Sequence, residues 1–283
     1  MPPRSNPTAR QERLGEELRK LRERAGLTAR AAAGLLGTDQ AQMSNVEAGR
    51  AGVSEERIRR LAAHYACDDA ALINALVDMS NERGKGWWNE YRDVLSRGFC
   101  DLAELEFHAT YMHTIQIVAI PGILQTEAHA RAVFASTIPE WPQHEIDVRV
   151  AHRTQRRVVF DLDAPPEFEA VIHEAALRMP VGGRKTCVEQ LAYLLEVSDS
   201  PYITLRVLPF AVDEFAGTDW SMLYVGGPVP QLDTVQLDAA HQGIFVDADA
   251  QLRRHRALFA KARGLSLGPG ESQAFIQRLA REL

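Results

Sequence analysis

Amide side chains are concentrated in the short segment formed by residues 39–48. Gln40, Gln42 and Asn45 each carry a carboxamide, which can pair through two hydrogen bonds with the major-groove edge of adenine. Ala41 stands between the two glutamines and is small enough to contact the methyl group of thymine. If the segment is helical, these side chains lie near one another, and they are our candidates for reading base edges in double-stranded DNA.

Hydroxyl and guanidinium groups near this segment are suited to phosphate contacts. Such contacts position a protein on DNA but carry no sequence information. Our candidates for phosphate binding are Thr28, Arg30, Ser44, Arg50 and Arg57.

The other chemistry-bearing residues complete no catalytic or metal-binding pattern. His173-Glu174 begins like the zinc-binding sequence His-Glu-x-x-His, but Leu177 stands at the final position. Glu104 and His108 are spaced as neighbours on a helix and could ligate a metal with His113 nearby, yet no third ligand of clear spacing follows. We therefore expect no catalytic residue and no enzyme activity, and neither a metal nor another cofactor.

Cysteine usage and hydropathy indicate where the protein resides. The three cysteines, Cys67, Cys100 and Cys187, are odd in number and far apart, which is typical of a reducing compartment. The N-terminal sequence has no apolar signal segment. The longest apolar run, residues 115–124, is much shorter than the ~20 residues of a membrane helix. We expect a soluble cytoplasmic protein that associates with the nucleoid and not with a membrane.

Start and stop signals divide the first eighty residues into five short helices. The predicted helices are Gln11–Arg24, Ala29–Leu36, Gln40–Ala48, Glu55–Tyr65 and Ala70 to about Met79.

The second and third of these helices should pack across a tight turn. The apolar side chains that would join them are Ala32, Leu36, Met43 and Val46. Their packing would leave the polar side chains of the third helix facing outward.

After residue 86, helical segments alternate irregularly with β-type segments. The predicted strands are Tyr202–Leu208, Trp220–Val225 and Thr234–Leu237, and the predicted helices are Thr186–Val197, Asp249–Arg263 and Gly270–Glu282. This order is too irregular for a doubly wound sheet.

The predicted fold class is α+β, with an all-α five-helix domain followed by a mixed α+β domain. The predicted divisions are a flexible tail (1–10), a helical domain (11–80), a linker (81–86) and a second domain (87–283).

The net charge of −6 is distributed unevenly along the chain. Residues 1–67 contain 12 Lys and Arg against 8 Asp and Glu, whereas residues 68–283 contain 20 against 30. A basic N-terminal part on an acidic remainder suits a protein that presents one end to phosphates.

The segment Leu27–Arg50 resembles the helix-turn-helix of the Cro/λ-repressor-like (XRE) family, with Leu36-Gly37 before the turn and Gly49 after the reading helix. The resemblance implies a λ-repressor-like fold whose reading helix enters the major groove. Ala29 stands where the family often has a glutamine that clamps a phosphate, and Arg30 is our candidate to replace it.

The remainder of the chain resembles the large C-terminal domain of actinobacterial XRE regulators of the WhiJ-like, antitoxin-like type. His129 departs from that pattern, which usually has tyrosine there. The segments that carry the resemblance are Gly86-Trp87-Trp88 with Tyr91, Phe99, Leu105-Glu106, Val118–Phe134, Arg149–Arg157, His173–Gly183, Gln190-Leu191 and Ile203–Phe210. It implies a regulator of development or secondary metabolism, often with a small acidic partner protein encoded by a neighbouring gene.

Three functional hypotheses follow. The first is a sequence-specific transcription regulator that binds a pseudo-palindromic operator as a homodimer and is controlled through its second domain. The second is an antitoxin-like protein that binds the small acidic partner and uses DNA binding for autoregulation. The third is a small-molecule sensor that uses Trp87, Trp88 and Tyr91; core packing or a seam between domains is the favoured interpretation of these aromatic residues.

Overall fold

The computed structural model describes residues 4, 6–82, 86–213, 221–238 and 243–283. A helical domain is followed by a domain of mixed α and β structure, which confirms the predicted fold class. Residues 83–85 of the predicted linker, Trp220 of a predicted strand, and residues 1–3 and 5 of the predicted tail lie outside the described residues. No helix in the described ranges is long and apolar enough to cross a membrane.

The helical domain contains the five predicted helices. Their bounds are α1 Ala9–Arg24, α2 Ala29–Leu35, α3 Gln40–Glu47, α4 Glu55–His64 and α5 Ala70–Asn81. In each case the residue before the helix caps it, since its side chain accepts a hydrogen bond from a backbone N–H in the first turn. The start of α1 lies two residues before the predicted one because Thr8 and Gln11 form a reciprocal capping box.

The predicted packing of α2 against α3 is confirmed. Ala32, Met43 and Val46 are buried in one apolar cluster, and Leu36 packs against that cluster while half-buried. The opposite side of α3 is therefore the polar side.

A buried ion pair joins α1 to the end of α3. The Arg22 guanidinium donates to both carboxylate oxygens of Glu47, over 2.6 and 3.0 Å, and also to the Leu27 carbonyl over 2.7 Å. The side chains of both charged residues are less than a tenth exposed. Loss of one partner would leave the other charge buried and unpaired, which typically costs about 3–5 kcal/mol.

Glycine allows the two helices to approach this closely. A Cβ on Gly15 of α1 would lie 2.5 Å from the Glu47 carbonyl oxygen and 2.6 Å from that of Val46. Gly49 ends α3 with φ of +69°, in the left-handed region. A Cβ on Gly49 would lie 2.7 Å from the Gln11 carbonyl oxygen.

The mixed domain begins with a 3₁₀ helix, Trp87–Tyr91. Its α-helices are α6 Arg97–Phe107, α7 Glu127–Ala135, α8 Gln143–Gln155, α9 Glu174–Arg178, α10 Gly183–Val197, α11 Asp249–Leu265 and α12 Pro269–Glu282. Its strands are β1 Tyr111–Gln116, β2 Glu167–His173, β3 Ile203–Leu208, β4 Met222–Gly226, β5 Thr234–Leu237 and β6 Ile244–Val246. Three further 3₁₀ helices are Gly122–Leu124, Arg156–Asp161 and Pro230–Leu232.

The six described strands form one mixed sheet in the order β3-β2-β1-β4-β5-β6. The pairs β3–β2 and β2–β1 are parallel, whereas β1–β4, β4–β5 and β5–β6 are antiparallel. Helices cover both faces of the sheet. Residues of α10 and α12 share a core with one face, and residues of α11 share a core with the other.

The predicted segments of the mixed domain correspond to β3, β4, β5, α10, α11 and α12, with ends displaced by a few residues. The strands β1 and β2, which pair in parallel inside the sheet, were not predicted from the sequence. Both are buried on two faces, so their side chains do not show the clear alternation of an exposed strand.

We expect Gly15→Ala to lower the free energy of unfolding by about 1–3 kcal/mol, since the new methyl group would meet backbone atoms that cannot yield without moving α3. The matched control is Gly34→Ala on the exposed surface of α2, where no atom lies within 4 Å of the added Cβ. The control should raise the free energy of unfolding by about 0.5–1 kcal/mol, because alanine is the better helix former. Urea denaturation of both variants measures the difference, and equal effects would contradict the close α1–α3 contact.

Candidate nucleic-acid interface

The α3 helix presents the predicted base-reading residues on its outer side. Gln40 and Ala41 are exposed, and Gln42 and Asn45 are half-buried. The carboxylate of Asp39, just before these residues, caps the helix, because its Oδ1 accepts a hydrogen bond from the backbone N–H of Gln42 over 2.7 Å. The outer side of α3 therefore presents carboxamides and a methyl group.

The predicted phosphate-binding residues lie at the start of α2, on α3, just after α3 and on α4. Thr28, Arg30, Ser44 and Arg50 are exposed, whereas Arg57 is half-buried. The Thr28 hydroxyl caps α2 by accepting from the Ala31 N–H over 3.1 Å, and it keeps its own proton for a further acceptor.

The arginines of this set differ from their neighbours in their ion pairing. Arg30, Arg50 and Arg57 have no carboxylate partner among the described residues, whereas Arg59 and Arg60 pair with glutamates of their own helix. The first group is the better source of charge for phosphates.

Two arginines of the predicted tail, Arg4 and Arg10, contact the helical domain or its end. The Arg4 N–H donates to the Arg50 carbonyl over 2.8 Å, and its guanidinium donates to Gly49. Arg10 lies within α1 and forms two hydrogen bonds with the Glu82 carboxylate, of 2.7 and 2.6 Å.

The side of α1 that faces away from α3 packs against the second domain. Arg13, only 4% exposed, pairs with the buried Glu17 over 3.2 Å and donates to the carbonyl of Gln231. Its guanidinium also lies 3.7 Å from the carboxylate of Asp247. A buried charge of one domain is thus neutralised jointly by both domains.

Apolar contacts reinforce this junction. Val229 is buried within the apolar cluster of the helical domain, and Leu232 packs against it. Between them, the Gln231 side chain donates to Asp69, the cap of α5, over 2.9 Å. The loop before β5 is therefore part of the support of the helical domain.

The α6 helix is a second support for α1. Arg97 donates to the carboxylate of Glu12, and Asp101 accepts a hydrogen bond from the backbone N–H of Ala9. Burial raises the pKa of Asp101, against the opposing effect of Arg97. The helical domain is thus attached to the second domain along the length of α1.

Two family models match the chain. A helix-turn-helix domain model matches residues 13–76, and a model described as a domain of unknown function (DUF5753) matches residues 99–278, more than half of the chain. The chain belongs to the DUF5753 family. Its N-terminal part is a helix-turn-helix domain of the kind found in DNA-binding regulators. No curated protein and no solved structure matches it.

The predicted aromatic group lies just before the DUF5753 match and divides between two environments. Trp87 and Tyr91 contact the ring of His152, with centroids 5.1 and 5.0 Å apart. Trp88 instead packs on Phe107, with centroids 5.1 Å apart, and lines a cavity of about 300 Å³ at the junction with the helical domain. The group is a core element beside the seam between the domains.

Three histidines are held neutral by burial in this region. Burial, with help from the charges of Arg156 and Arg153, lowers the pKa of His152 to about 3. Burial also lowers the pKa of His129 and of His108 to about 4. Neither ring nitrogen of His152 has a hydrogen-bond partner among the described residues.

The residues weighed as metal ligands lie apart. The His113 ring stacks on Phe259 at 4.3 Å, whereas His108 contacts Trp88 and lies 3.4 Å from the carboxylate of Glu82. Within the described ranges, no three His, Cys, Asp or Glu side chains are grouped so that they could hold a metal ion.

Sequence reasoning missed the residues of the domain junction and a set of buried arginines in the DUF5753 domain. Arg13 and Glu17 gave no signal, because a charged residue on a helix is ordinarily exposed and the Gln231 carbonyl that Arg13 contacts is 218 positions away. Arg153 and Arg156 lie in the segment Arg149–Arg157, which was noted only for its resemblance. Their partners come from distant parts of the chain, so no spacing reveals them.

The buried histidines predict a pH dependence of stability. The unfolded chain binds protons at these imidazoles below about pH 6.5, whereas the folded chain binds them only near pH 3–4. Unfolding therefore becomes easier as the pH falls through this window, by up to about 1.4 kcal/mol per pH unit for each histidine. Buried carboxylates such as Asp101, whose pKa is raised, act in the opposite direction.

We expect His152→Phe to make this dependence shallower by removing one of the three contributions, while phenylalanine keeps the aromatic contacts. Urea titrations at pH 7, 6 and 5 measure the slope. The exposed His64→Gln is the control and should keep the wild-type slope. A slope unchanged in His152→Phe would show that His152 is not held neutral in the folded protein.

Proposed function

We propose that this chain is a sequence-specific DNA-binding transcription regulator of the XRE type, whose DUF5753 domain supplies dimerisation and control. The observation that carries the proposal is the outer face of α3, which presents Gln40, Gln42 and Asn45. The arginines of α2, of the turn after α3 and of α4 that we assign to phosphates have no carboxylate partner in the described part of the chain. Carboxamides read base edges and the arginines contact phosphates, so the face combines specificity with affinity.

The short reading helix supports the proposal of a homodimer. The eight residues of α3 span about 12 Å and can contact only a few base pairs. Two copies on half-sites about 34–36 Å apart would multiply both affinity and specificity. Because α1 attaches each reading helix to its DUF5753 domain, a dimer formed through that domain would set the spacing of the two helices.

We infer that the chain has no catalytic activity. Burial raises the pKa of Cys187, and it raises that of Cys100 to about 11, so both thiols are protonated and unreactive near neutral pH. His173 uses Nδ1 to accept a hydrogen bond from the Ala175 N–H over 3.2 Å, as the cap of α9. These groups serve the fold.

Footprinting on the DNA upstream of the chain's own gene tests the proposal. The wild-type protein should protect a discrete, pseudo-palindromic site at low salt, where phosphate contacts are strongest. Absence of a protected site at low salt would exclude the proposed function.

Asn45→Ala should weaken binding to that site by about 1–3 kcal/mol, which is roughly tenfold to a hundredfold, and relax its sequence preference. The same substitution at Asn74, an exposed amide of α5, is the matched control and should leave affinity unchanged. Fluorescence anisotropy on specific and scrambled duplexes measures both effects. Equal losses in the two variants would remove α3 from the interface.

Arg50→Ala should weaken binding to specific and scrambled duplexes alike, because it removes a phosphate contact. The slope of the logarithm of affinity against the logarithm of salt concentration should fall by about one. A change confined to the specific duplex would assign Arg50 to base reading.

A second candidate function is the antitoxin-like one, in which the chain binds a small acidic partner protein. The exposed surface of α11 favours it: Arg253, Arg254 and Lys261 have no carboxylate partner among the described residues, although the domain as a whole is acidic. Such a surface complements an acidic partner in charge and would speed its association.

Co-purification with the product of the neighbouring gene tests this candidate. The double variant Arg253→Glu, Arg254→Glu should lose the complex, while Arg184→Glu at the exposed start of α10 should retain it. A complex that survives reversal of the α11 charges would exclude this surface, and the absence of any complex would exclude the candidate function.

A further inference from the structure

A cavity of about 350 Å³ lies within the DUF5753 domain, between α6, the 3₁₀ helix Gly122–Leu124, α8 and the sheet. Its apolar wall includes Leu102, Phe168 and Leu223. Its polar wall includes two arginines and three glutamines. Cavities of this size, mostly apolar with a few fixed polar groups, are typical of small-molecule sites.

The two arginines of the cavity are not equivalent. Arg156 forms a buried bidentate pair with Glu106, with one hydrogen bond of 2.6 Å. Arg153 has no carboxylate partner among the described residues. Its guanidinium lies 4.0 Å from the centroid of the Phe134 ring and donates to Oε1 of Gln125 over 2.8 Å.

The environment of Arg153 disfavours its charge. Burial, followed by repulsion from Arg156, lowers the pKa of Arg153 to about 9, although arginine is otherwise charged at all ordinary pH values. Its Nε is buried and has no hydrogen-bond partner among the described residues. The carboxylates of Asp238 and Glu106 oppose this shift, but neither forms a salt bridge with Arg153. A ligand of opposite charge placed beside the guanidinium would therefore stabilise its charged form.

The glutamines of the polar wall leave acceptors available. Gln116 donates its amide to the Thr114 hydroxyl over 3.1 Å, and Gln236 donates to the carboxylate of Asp238 over 2.9 Å. Neither amide oxygen accepts a hydrogen bond among the described residues. The carboxylates of Glu106 and Asp238 also line the cavity, but Glu106 is paired with Arg156 and Asp238 accepts a hydrogen bond from Gln236. The cavity therefore offers the guanidinium of Arg153, two amide acceptors and an apolar wall.

We propose that this cavity binds a small organic carboxylate that has an apolar body and at least one hydroxyl or amino donor. Arg153 is the counterion of the carboxylate, and the amide oxygens of Gln116 and Gln236 accept from the donor. Phe168 and Leu223 enclose the apolar body.

The α6 helix connects this cavity with the helix-turn-helix domain. Gly98, Leu102 and Glu106 line the cavity, whereas Arg97 and Asp101 contact α1. A ligand that shifts α6 thereby changes the support of the reading helix. This part of the inference rests on the proposed function, and ligand binding itself does not.

Saturation-transfer NMR on the full chain tests the binding. The probes are 4-hydroxyphenylacetate, its neutral amide 4-hydroxyphenylacetamide, and phenylacetate, which lacks the hydroxyl donor. The carboxylate with the hydroxyl should bind, and its amide should bind at least tenfold more weakly. Inorganic phosphate should fail to displace the carboxylate, since it has no apolar body. Equal binding of acid and amide, no binding of any probe, or displacement by phosphate would overturn the proposal.

Two variants locate the site. Arg153→Met keeps an unbranched, apolar stem without the guanidinium and should lower affinity at least tenfold, whereas Gln236→Met should lower it for the hydroxylated probe and not for phenylacetate. The control is Arg149→Met, one turn earlier on α8, where the guanidinium stacks on Trp141 outside the cavity; it should bind as the wild type does. Unchanged binding in Arg153→Met would overturn the assignment.

Two further measurements separate folding and function from binding. The thermal midpoint of Arg153→Met should be no lower than that of the wild type, because the variant removes a desolvated charge that forms no salt bridge with the described residues. Operator affinity with and without 4-hydroxyphenylacetate tests the coupling through α6, and an unchanged affinity would contradict it. Loss of ligand binding leaves operator binding by the free protein intact, whereas failure of the proposed function leaves the NMR result intact.

Discussion

The buried ion pair between Arg22 and Glu47 fixes the reading helix to the first helix of the domain. It forms where the two helices nearly touch, at Gly15, so no side chain separates their backbones. A charge pair buried this deeply is stable only in one geometry, since either charge alone would be left without solvent or partner. The orientation of α3 therefore follows from the orientation of α1.

On its opposite side, α1 is fixed to the DUF5753 domain by a second buried charge. Arg13 is buried between the domains and satisfied by groups from both, and Arg97 and Asp101 hold the start of the same helix. The resulting unit is a reading helix supported by α1, and α1 supported by a domain that carries its own cavity. Under the proposed function, α1 is the connection between the DUF5753 domain and the surface of α3.

The local elements of the helical domain could be predicted because the signals are local. Asp39, Thr28 and Gly49 mark helix ends within a few residues of where they act, and Met43 and Val46 mark the buried side of α3. The packing side of α1 is different. Arg13 and Glu17 look like ordinary surface charges in the sequence, and only the contact with residues more than 200 positions away makes them buried.

The candidate site of the DUF5753 domain was beyond sequence reasoning for the same reason. Arg153 has ordinary neighbours on α8, and its significance comes from Gln125, Phe134 and the lack of a salt bridge to any carboxylate of the described residues. The central strands β1 and β2 were missed because both of their faces are buried. Local patterns predict elements, whereas charge balance in a core depends on tertiary contacts.

The contacts on both sides of α1 predict that it holds α3 in one orientation relative to the DUF5753 domain. Pulsed electron–electron double resonance measures the distance between spin labels at Ala41→Cys of α3 and Gln251→Cys of α11. Cys67→Ser removes the half-exposed native thiol. We expect one narrow distance distribution in the wild-type background, broadened by Arg13→Met. A broad distribution before that substitution would contradict the claim.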